Sequence, residues 1–460
     1  MKLTGNNSYV KITDTKVNIN IKLLMNKEEI LKILVDWNFW GNYKDESIER
    51  SFYLDKLRRY LKTGEIIVIK GVRRSGKSTI VSQFIRKLIE EKKVSPKNFL
   101  IVNFEDPRFR NLNLDLLNKI YDFYLEELLP DDKHFVVLDE VQEIEGWEKF
   151  ARFLNEAKKV QVFITGSSSK LLSEEYSTLL SGRYVDLDIF PLSFREFLEF
   201  NGVKVKSEIE MMKLRHKIKN LLKQYIEFGG FPKPVLVEAS EKSIILQGYF
   251  RDILLKDVQK RFKVKETTKL EELAKYYLSN ISTIQPFNRI KNVVGLSLDS
   301  VERFSHYFSV ANLFFFVPKF SFSKKEQILN PKKVYSVDVG IRNVMGFRFS
   351  EDLGRLIENI VLLELKRRGF EVFHWKSKKQ REVDFVIKKG MEVKQLIQVC
   401  TYLQDEGVKK RELEALREAS SYIRNNNFLI VTEDYDGEEK FGKTKIKFIS
   451  LWRYLLLEEF

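Results

Sequence analysis

The chain has 460 residues and a mass of 54.5 kDa, which is too long for a single hydrophobic core, so roughly two to four domains are expected. Hydrophobic residues make up 43% of the chain and aromatic residues 13%, and this content excludes a globally disordered protein. The formal net charge of +15 fits either a nucleic-acid partner or the Lys- and Glu-rich surface common in thermophile proteins.

Cysteine, histidine and apolar content exclude further classes of protein. The single cysteine, Cys400, rules out an internal disulfide framework, and the four histidines are too far apart to show metal-ligand spacing. The N-terminus lacks the apolar run of a signal peptide, and no stretch approaches the roughly 18 apolar residues of a membrane span. We therefore expect a cytoplasmic protein with no membrane partner.

Residues 1–49 are predicted to form an N-terminal segment, whose aromatic stretch 36–40 packs on the next domain or contacts a neighbour. Residues 50–190 then alternate apolar runs with amphipathic segments, as βαβ units do. The apolar runs lie at residues 66–69, 99–104, 135–138 and 160–165. Because continuous apolar runs mark strands covered on both faces, we predict an α/β domain with a parallel sheet between helices.

The first of these runs leads into a glycine-rich loop that satisfies the GxxxxGK[ST] pattern and precedes a helix. We assign nucleotide binding to the loop and the residue after it: Gly71, Val72, Arg73, Arg74, Ser75, Gly76, Lys77, Ser78 and Thr79. The glycines let successive backbone N–H groups point at phosphates. Lys77 is expected to neutralise the β- and γ-phosphates of ATP, and the Ser78 hydroxyl to bind Mg²⁺.

A second motif follows the apolar run 135–138, where Asp139 and Glu140 stand side by side. Asp139 is expected to hold Mg²⁺ through water, and Glu140 to orient and polarise the attacking water. The alternative is an ordinary strand that ends in two solvated acids. The presence of Lys77 upstream, in its own strand–loop–helix context, favours ATP hydrolysis over a chance coincidence.

Three residues are candidates for supporting roles, each with an alternative. Thr165 could sense the γ-phosphate, or could reflect the preference of threonine for strands. Asn103 could restrain Glu140, or could cap a turn. Arg183 could reach a γ-phosphate in its own or a neighbouring subunit as an arginine finger, or could form a surface ion pair.

Further short motifs complete the pattern: Asn103-Phe104-Glu105-Asp106-Pro107, Leu138-Asp139-Glu140-Val141-Gln142, Trp147, Thr165-Gly166-Ser167-Ser168, Gly182-Arg183-Tyr184, Pro191-Leu192-Ser193-Phe194 and Gly229-Gly230-Phe231-Pro232. With the phosphate loop, this ordered set resembles the archaeal and other prokaryotic AAA-type ATPases that carry a C-terminal, nuclease-like DUF4143 domain. The resemblance extends over most of residues 50–450. It implies an AAA-like module that hydrolyses ATP.

Residues 191–330 are predicted to be mostly helical, and the part 267–322 is typical of a winged helix. Its third helix, from Leu298 to Ser309, would be the one that reads DNA. That helix carries Glu302, Arg303 and His306 and is not strongly basic. It therefore either contacts DNA or serves for packing and for sensing the state of the nucleotide domain.

Residues 331–460 are predicted to form a separate α/β domain, which resembles the PD-(D/E)xK nuclease core. Glu358 and Asp384 fit the acidic positions of that core, but Gln398 and Cys400 replace the E-x-K element. A neutral thiol cannot supply the missing cation, and the lost acid removes a metal ligand. The resemblance thus implies a degenerate domain that could still bind nucleic acid.

The predicted architecture is an AAA-like P-loop NTPase domain with a parallel sheet, a helical and winged-helix region, and a C-terminal α/β restriction-endonuclease-like domain. The predicted function is ATP hydrolysis with Mg²⁺ that drives a conformational change, acting on or near DNA. One alternative is a nucleotide-dependent switch that works through a partner protein or a homo-oligomer. A second is an Mg²⁺-dependent nuclease coupled to the ATPase.

Overall fold

The computed structural model describes residues 25–166, 180, 182–347, 352–401, 403, 405–441 and 444–457. Within this part, the chain divides into two compact units. The first contains residues 25–69, 78–166, 180 and 182–187, and the second contains residues 70–77 and the chain from residue 188 onwards. None of the described helices combines the length and the apolar character that crossing a bilayer requires.

The elements up to residue 189 alternate strands and helices around one sheet. In chain order they are α1 (Lys27–Trp37), α2 (Ser51–Leu61), β1 (Ile66–Gly71), α3 (Lys77–Glu90), β2 (Phe99–Asn103), α4 (Leu114–Leu128), β3 (Phe135–Asp139), α5 (Trp147–Glu156), β4 (Gln161–Thr165) and β5 (Tyr184–Ile189). The strand order is β2-β3-β4-β1-β5. The pairs β2/β3, β3/β4 and β4/β1 are parallel, and β1 and β3 are buried along their whole length. The predicted parallel sheet is confirmed.

The aromatic segment after α1 packs on the edge strand β2. The side-chain amide of Asn38 donates to the carbonyl of Ile101 at 2.8 Å and accepts from its N–H at 2.7 Å. Trp40 Nε1 donates to the carbonyl of Phe99 at 2.9 Å. Asn38 therefore pairs with the strand much as a neighbouring backbone would, and of the two predicted roles for this segment the structure displays packing on the next domain.

The second unit begins with helices and continues with two further sheets. Its elements are α6 (Phe194–Phe200), α7 (Glu208–Lys213), α8 (Arg215–Phe228), α9 (Pro232–Val235), α10 (Ala239–Asp252), a π-helix (Ile253–Lys260), α11 (Thr267–Ser279), β6 (Thr283–Gln285), α12 (Phe287–Val294), α13 (Leu298–Val310), β7 (Phe314–Val317), α14 (Lys324–Leu329), β8 (Lys332–Ser336), α15 (Val339–Met345), α16 (Leu353–Arg367), β9 (Glu371–Lys376), β10 (Glu382–Lys389), β11 (Glu392–Cys400), α17 (Glu406–Ile423), β12 (Phe428–Thr432), β13 (Gly437–Phe441), β14 (Thr444–Ser450) and α18 (Leu451–Leu456).

The smaller sheet of this unit is antiparallel, with the strand order β6-β8-β7. Its central strand, β8, lies beyond residue 330, where the sequence pattern placed the start of the C-terminal domain. The strand instead pairs with β6 and β7 of the preceding region. An apolar run shows that a strand exists but not which distant strand it pairs with, because that choice depends on long-range packing.

The larger sheet has six strands in the order β13-β14-β12-β11-β10-β9. It is mixed, since β11/β12 and β12/β14 are parallel and the other pairs are antiparallel. Helix α16 is buried along almost its whole length, and its apolar residues share a core with β10, β11, β12 and α18. This core places the acidic residue Glu358 of α16 against the sheet.

The Gly229-Gly230 pair is explained by a close approach of Asp338. Gly229 has a φ of +71°, and a Cβ there would lie 2.1 Å from a carboxylate oxygen of Asp338. The N–H of Gly230 donates to Asp338 at 2.7 Å, and that of Ile341 at 3.1 Å. Burial raises the pKa of Asp338 to about 6, against the lowering effect of these N–H donors. This glycine motif therefore joins the loop after α8 to the start of α15.

Candidate functional site

The phosphate loop adopts a backbone that its glycines permit. Gly71 and Gly76 have φ values of +151° and +96°, and Arg74 also lies in the left-handed region with φ +72°. A Cβ at Gly71 would lie 2.2 Å from the carbonyl oxygen of Ile189, so no larger residue fits there. Val72 is buried among the helices of the second unit. The loop is thus a tightly curled turn between β1 and α3.

Lys77 and Thr79 stand on the first turn of α3, where backbone N–H groups have no partner within the helix. Lys77 is 6% exposed, and its ammonium group donates to the carbonyls of Gly71 and Val72 at 3.3 and 3.4 Å. Thr79 is exposed. The loop therefore presents an ammonium group and the positive end of a helix dipole at one place, a combination that suits a phosphate.

Two hydroxyl groups meet at one carboxylate oxygen at the end of β3. Ser78 donates to Asp139 Oδ1 at 2.9 Å, and Thr165 donates to the same oxygen. The strand register explains this, since Asp139 of β3 lies directly beside Thr165 of β4. The structure therefore joins Ser78 to Asp139, the two predicted Mg²⁺ residues. It places Thr165 as a residue that orients the Asp139 carboxylate.

Glu140 follows β3 in the left-handed conformation, with φ +55°. Its N–H donates to the carbonyl of Thr165 at 3.0 Å, and its carboxylate accepts from Gln142 Nε2 at 2.5 Å. Asn103, the residue considered for restraining Glu140, accepts instead from the N–H of Glu105 at 2.9 Å and so caps a turn. The residue that holds Glu140 is Gln142, which the sequence motif contains but which carried no assigned role.

Arg183 precedes β5 and forms an ion pair with Glu156 of α5. Both side chains are well exposed, at 53% and 36%. This contact corresponds to the surface ion pair considered as the alternative to an arginine finger. A role for Arg183 toward the nucleotide of a neighbouring subunit remains a prediction.

These residues fit ATP and Mg²⁺. The curled loop offers N–H groups and the Lys77 ammonium for phosphate oxygens. Ser78 and Asp139 provide hard oxygen donors of the kind that Mg²⁺ takes while it keeps several waters. Glu140 adds a second carboxylate next to them. The donor set therefore matches the nucleotide and metal that the sequence motifs predict.

The arginines of the phosphate loop contact the helical region of the second unit. Arg73 Nε lies 3.2 Å from Asp257 Oδ2, and the Asp257 side chain is only 4% exposed. Arg74 Nη2 lies 3.4 Å from Asp252 Oδ2 in a more exposed pair. Asp257 belongs to the π-helix, and Asp252 is the last residue of α10 directly before it. Two successive residues of the phosphate loop thus form ion pairs with the same helical segment.

A second cluster of charged residues joins β8 of the small sheet to helix α16 and to β10 of the C-terminal sheet. The ammonium nitrogen of Lys333 lies 2.9 Å from Glu358 Oε1, 2.9 Å from Asp384 Oδ1 and 2.6 Å from Glu382 Oε1. The Lys333 side chain is 3% exposed. Tyr335 donates to the same oxygen of Glu358 at 2.6 Å. We call Lys333, Glu358, Glu382 and Asp384 the acid–lysine centre.

Burial and the neighbouring Asp384 carboxylate raise the pKa of Glu358 to about 8. Burial alone would lower the pKa of Lys333, but the carboxylates of Asp384 and Glu358 hold it well above its usual value. Lys333 is therefore a permanent cation in this centre. Across the described ranges, no group of three or more His, Cys, Asp or Glu residues has an arrangement that could hold a metal ion.

The sequence pattern brought Glu358 and Asp384 together correctly but did not identify the cation. The residues at the E-x-K positions form other contacts. Gln398 accepts from the N–H of Asp384 at 3.1 Å, and Cys400 is buried in the core of the sheet. The cation comes from Lys333, the second residue of β8, which belongs to no sequence motif. The only signal was a charged residue beside a buried run.

Models of known families match most of the chain. An AAA domain matches residues 63–198. Two domains of unknown function, DUF8612 and DUF4143, match residues 219–352 and 353–454. The predicted AAA-like domain and DUF4143 domain are therefore confirmed. A Walker-type ATPase of Pyrococcus abyssi is similar over 66% of this chain and 97% of its own, with 12% identity and a TM-score of 0.42.

Two relatives match over most of their length. An uncharacterised protein of Haemophilus influenzae is 32% identical over 355 residues, which cover 75% of this chain and 85% of the relative. An uncharacterised protein of Methanocaldococcus jannaschii is 32% identical over 460 residues, which cover 97% of this chain and 99% of the relative. The chain therefore belongs to the family of this M. jannaschii protein and combines an AAA domain with DUF8612 and DUF4143 domains.

Proposed function

We propose that this protein hydrolyses ATP with Mg²⁺ and uses the reaction to change the conformation of its helical region. The observation that carries the proposal is the meeting of Ser78 and Thr165 at the carboxylate of Asp139, with Glu140 next to it. These groups surround the point where a strand of a parallel sheet ends. Metal-bound phosphate and an attacking water are handled by groups of this kind.

In this proposal each residue of the site has a separate role in ATP binding or hydrolysis. Lys77 and the loop N–H groups bind the phosphates and neutralise the charge that develops on them. Ser78 and Asp139 would hold Mg²⁺, which would supply positive charge to the phosphates. Thr165 fixes the orientation of Asp139, and Glu140 accepts a proton from the attacking water. Gln142 keeps Glu140 in place until the nucleotide is bound.

The proposal is tested by replacing Lys77 with alanine. Loss of the ammonium group should abolish ATP turnover and weaken Mg²⁺-ATP binding at least about tenfold, which corresponds to about 1.4 kcal/mol. Turnover is measured by phosphate release and binding by calorimetry. Lys87→Ala on the same helix, where Lys87 pairs with Glu49 at 3.2 Å, is the matched control and should retain both. Undiminished turnover in Lys77→Ala would contradict the assigned site.

The conformational step is supported by the two ion pairs of the phosphate loop. A phosphate bound in the loop competes with Asp257 and Asp252 for the positive charge of Arg73 and Arg74. Leaving the buried carboxylate of Asp257 without its cation costs free energy. A change at Arg73 in the phosphate loop therefore affects Asp257 in the π-helix. The π-helix that carries Asp257 is a type of helix often found at functional sites.

Asp257→Asn should uncouple the π-helix from the nucleotide. In the parent protein, ATP with Mg²⁺ should change amide hydrogen exchange in residues 253–260. In the variant, exchange there should be about tenfold faster without nucleotide and insensitive to its addition. Asp252→Asn, which alters the more exposed pair, should have a smaller effect. An unchanged nucleotide response in Asp257→Asn would refute the coupling.

Action on or near DNA is the second part of the proposal. It is supported by the order α11–β6–α12–α13–β7–α14–β8 with the sheet order β6-β8-β7, which resembles the arrangement of a winged helix. Helix α13 adds little positive charge, since Arg303 pairs with Asp299 at 2.7 Å. Turnover measured with and without duplex DNA distinguishes this function from a switch that acts through protein contacts. Stimulation by DNA that disappears at high salt would favour DNA.

The coupled nuclease is the less favoured alternative. Active members of the nuclease class that this domain resembles need their acids for a metal ion. Here the Lys333 ammonium lies within 3 Å of three of the carboxylates. A buried cation at this place offsets part of the negative charge that would attract a divalent metal.

A further inference from the structure

An open cavity of about 330 Å³ lies between the small sheet of the second unit and the turn that joins β9 to β10. Its lining includes Lys319, Lys376 and Lys378 together with His374, Ser377 and Gln380. None of its lining residues is acidic. The cavity therefore combines a concave shape with three ammonium groups, which is the composition of an anion site.

The charges of this cavity are available to a ligand. Lys376 lies 3.7 Å from Glu382, a distance that leaves only a weak contact between half-exposed groups. Lys319 and Lys378 form no ion pair within the described residues. Two lysines without an ion pair at one cavity, with no acid in its lining, give a local excess of positive charge.

Backbone hydrogen bonds hold these lysines in place. Lys319 forms a parallel bridge with His374, supported by the hydrogen bond from the His374 N–H to Pro318 at 3.1 Å. Lys378 lies in the turn that Ser377 closes, since the hydroxyl of Ser377 accepts from the N–H groups of Lys379 and Arg381 at 3.2 Å each. A ligand that binds here pays little for ordering the backbone.

His374 forms a neutral wall of the cavity. It is 1% exposed, and its Nε2 faces the carbonyl of Pro331 at 3.4 Å. Burial and the nearby Lys333 ammonium lower the pKa of His374 to about 3, so the ring is uncharged at neutral pH. The attraction for an anion therefore comes from the lysines and does not vary with the ionisation of this histidine.

We propose that this cavity binds a phosphate group of a nucleic-acid backbone. The argument rests on Lys319, Lys376 and Lys378, on the absence of acids from the lining, and on the fixed backbone that carries the lysines. Ser377 and Gln380 offer hydrogen bonds to phosphate oxygens. The choice of nucleic acid over a free phosphate compound rests on the proposed action on DNA.

The position of the cavity next to the acid–lysine centre gives the inference its functional meaning. Ile284 lines the cavity and pairs with Lys333 in the small sheet, while Lys376 pairs with Glu382 in the register of β9 and β10. A backbone held in the cavity would therefore run past the residues that occupy the catalytic place of a nuclease.

The test uses the full-length double variant Lys319→Ala/Lys378→Ala. Binding of a fluorescein-labelled 20-base-pair duplex is titrated without ATP at several salt concentrations. Loss of two phosphate contacts should weaken binding about tenfold at about 0.1 M salt and reduce the slope of log Kd against log salt by about 1.8. The control Lys389→Ala/Lys410→Ala removes the same charge from exposed positions away from the cavity and should change neither value by as much.

A second arm identifies the source of the phosphate. Binding of inorganic pyrophosphate is measured by calorimetry on the same proteins. Pyrophosphate binding that is lost in the cavity variant while duplex binding persists would identify a free phosphate compound and overturn the nucleic-acid assignment. Equal behaviour of cavity and control variants in both arms would overturn the site itself. Failure of the proposed ATPase would appear separately, as absent turnover in the parent protein, because neither arm contains ATP.

Discussion

Replacing Glu140 with glutamine should leave Mg²⁺-ATP binding unchanged and reduce the turnover number by about 100- to 10,000-fold, the usual contribution of a general base. The amide keeps the size of the side chain and its contact with Gln142, but it cannot accept a proton from water. Because Lys77, Ser78 and Asp139 are untouched, the phosphates and the metal keep their partners. Binding is measured by calorimetry and turnover by phosphate release.

Glu143→Gln is the matched control, since it makes the same chemical change three residues away at an exposed position. It should retain full turnover. If Glu140→Gln lost binding and turnover equally, Glu140 would be a residue that shapes the site rather than the base. If it retained turnover, another group would have to activate the water.

Replacing Lys333 with methionine should lower the free energy of unfolding by about 3–5 kcal/mol, because a buried carboxylate cluster loses its cation. Methionine fills a similar volume, so the loss reflects charge more than a cavity. Urea unfolding followed by circular dichroism measures it. Lys332→Met, on the same strand but outside the acid–lysine centre, should change stability by less than about 0.5 kcal/mol.

Removing the carboxylates together with the cation should restore much of this loss. Lys333→Met combined with Glu358→Gln and Asp384→Asn replaces the cation and two of the three carboxylates by neutral groups of similar size, while Glu382 keeps its contact with Lys376 at 3.7 Å. Recovery in the triple variant, with little recovery when Glu358→Gln is used alone, would show that the charges act as one set. A stable Lys333→Met single variant would contradict the role of Lys333 as the resident cation.

The sequence predicted the nucleotide domain well because each of its signals is local. Four continuous apolar runs correspond to β1 to β4, and the glycine loop lies where its pattern places it. The strand β5 escaped prediction, since its residues alternate between polar and apolar. The alternation matches its burial, since Leu187 and Ile189 are buried while Asp186 and Asp188 are exposed.

The missed contacts join residues that are distant in the sequence. Lys333 of β8 meets Glu358 of α16 and Asp384 of β10. Arg73 meets Asp257 across more than one hundred residues. Periodicity and motifs report local structure and local chemistry. Pairing of this kind depends on the folded chain, which explains why the missing cation of the C-terminal domain could not be found by searching near Cys400.

The hydrogen bonds that the Asn38 amide forms with β2 affect how readily the whole protein aggregates in a crowded cell. An open edge strand offers its N–H and C=O groups to any extended chain, and strand addition of this kind leads to aggregation. At β2, Asn38 already occupies the backbone groups of Ile101, and Trp40 occupies the carbonyl of Phe99. An extended chain from another molecule would first have to displace this segment before it could pair with β2. The N-terminal segment therefore protects that edge of the sheet from strand addition.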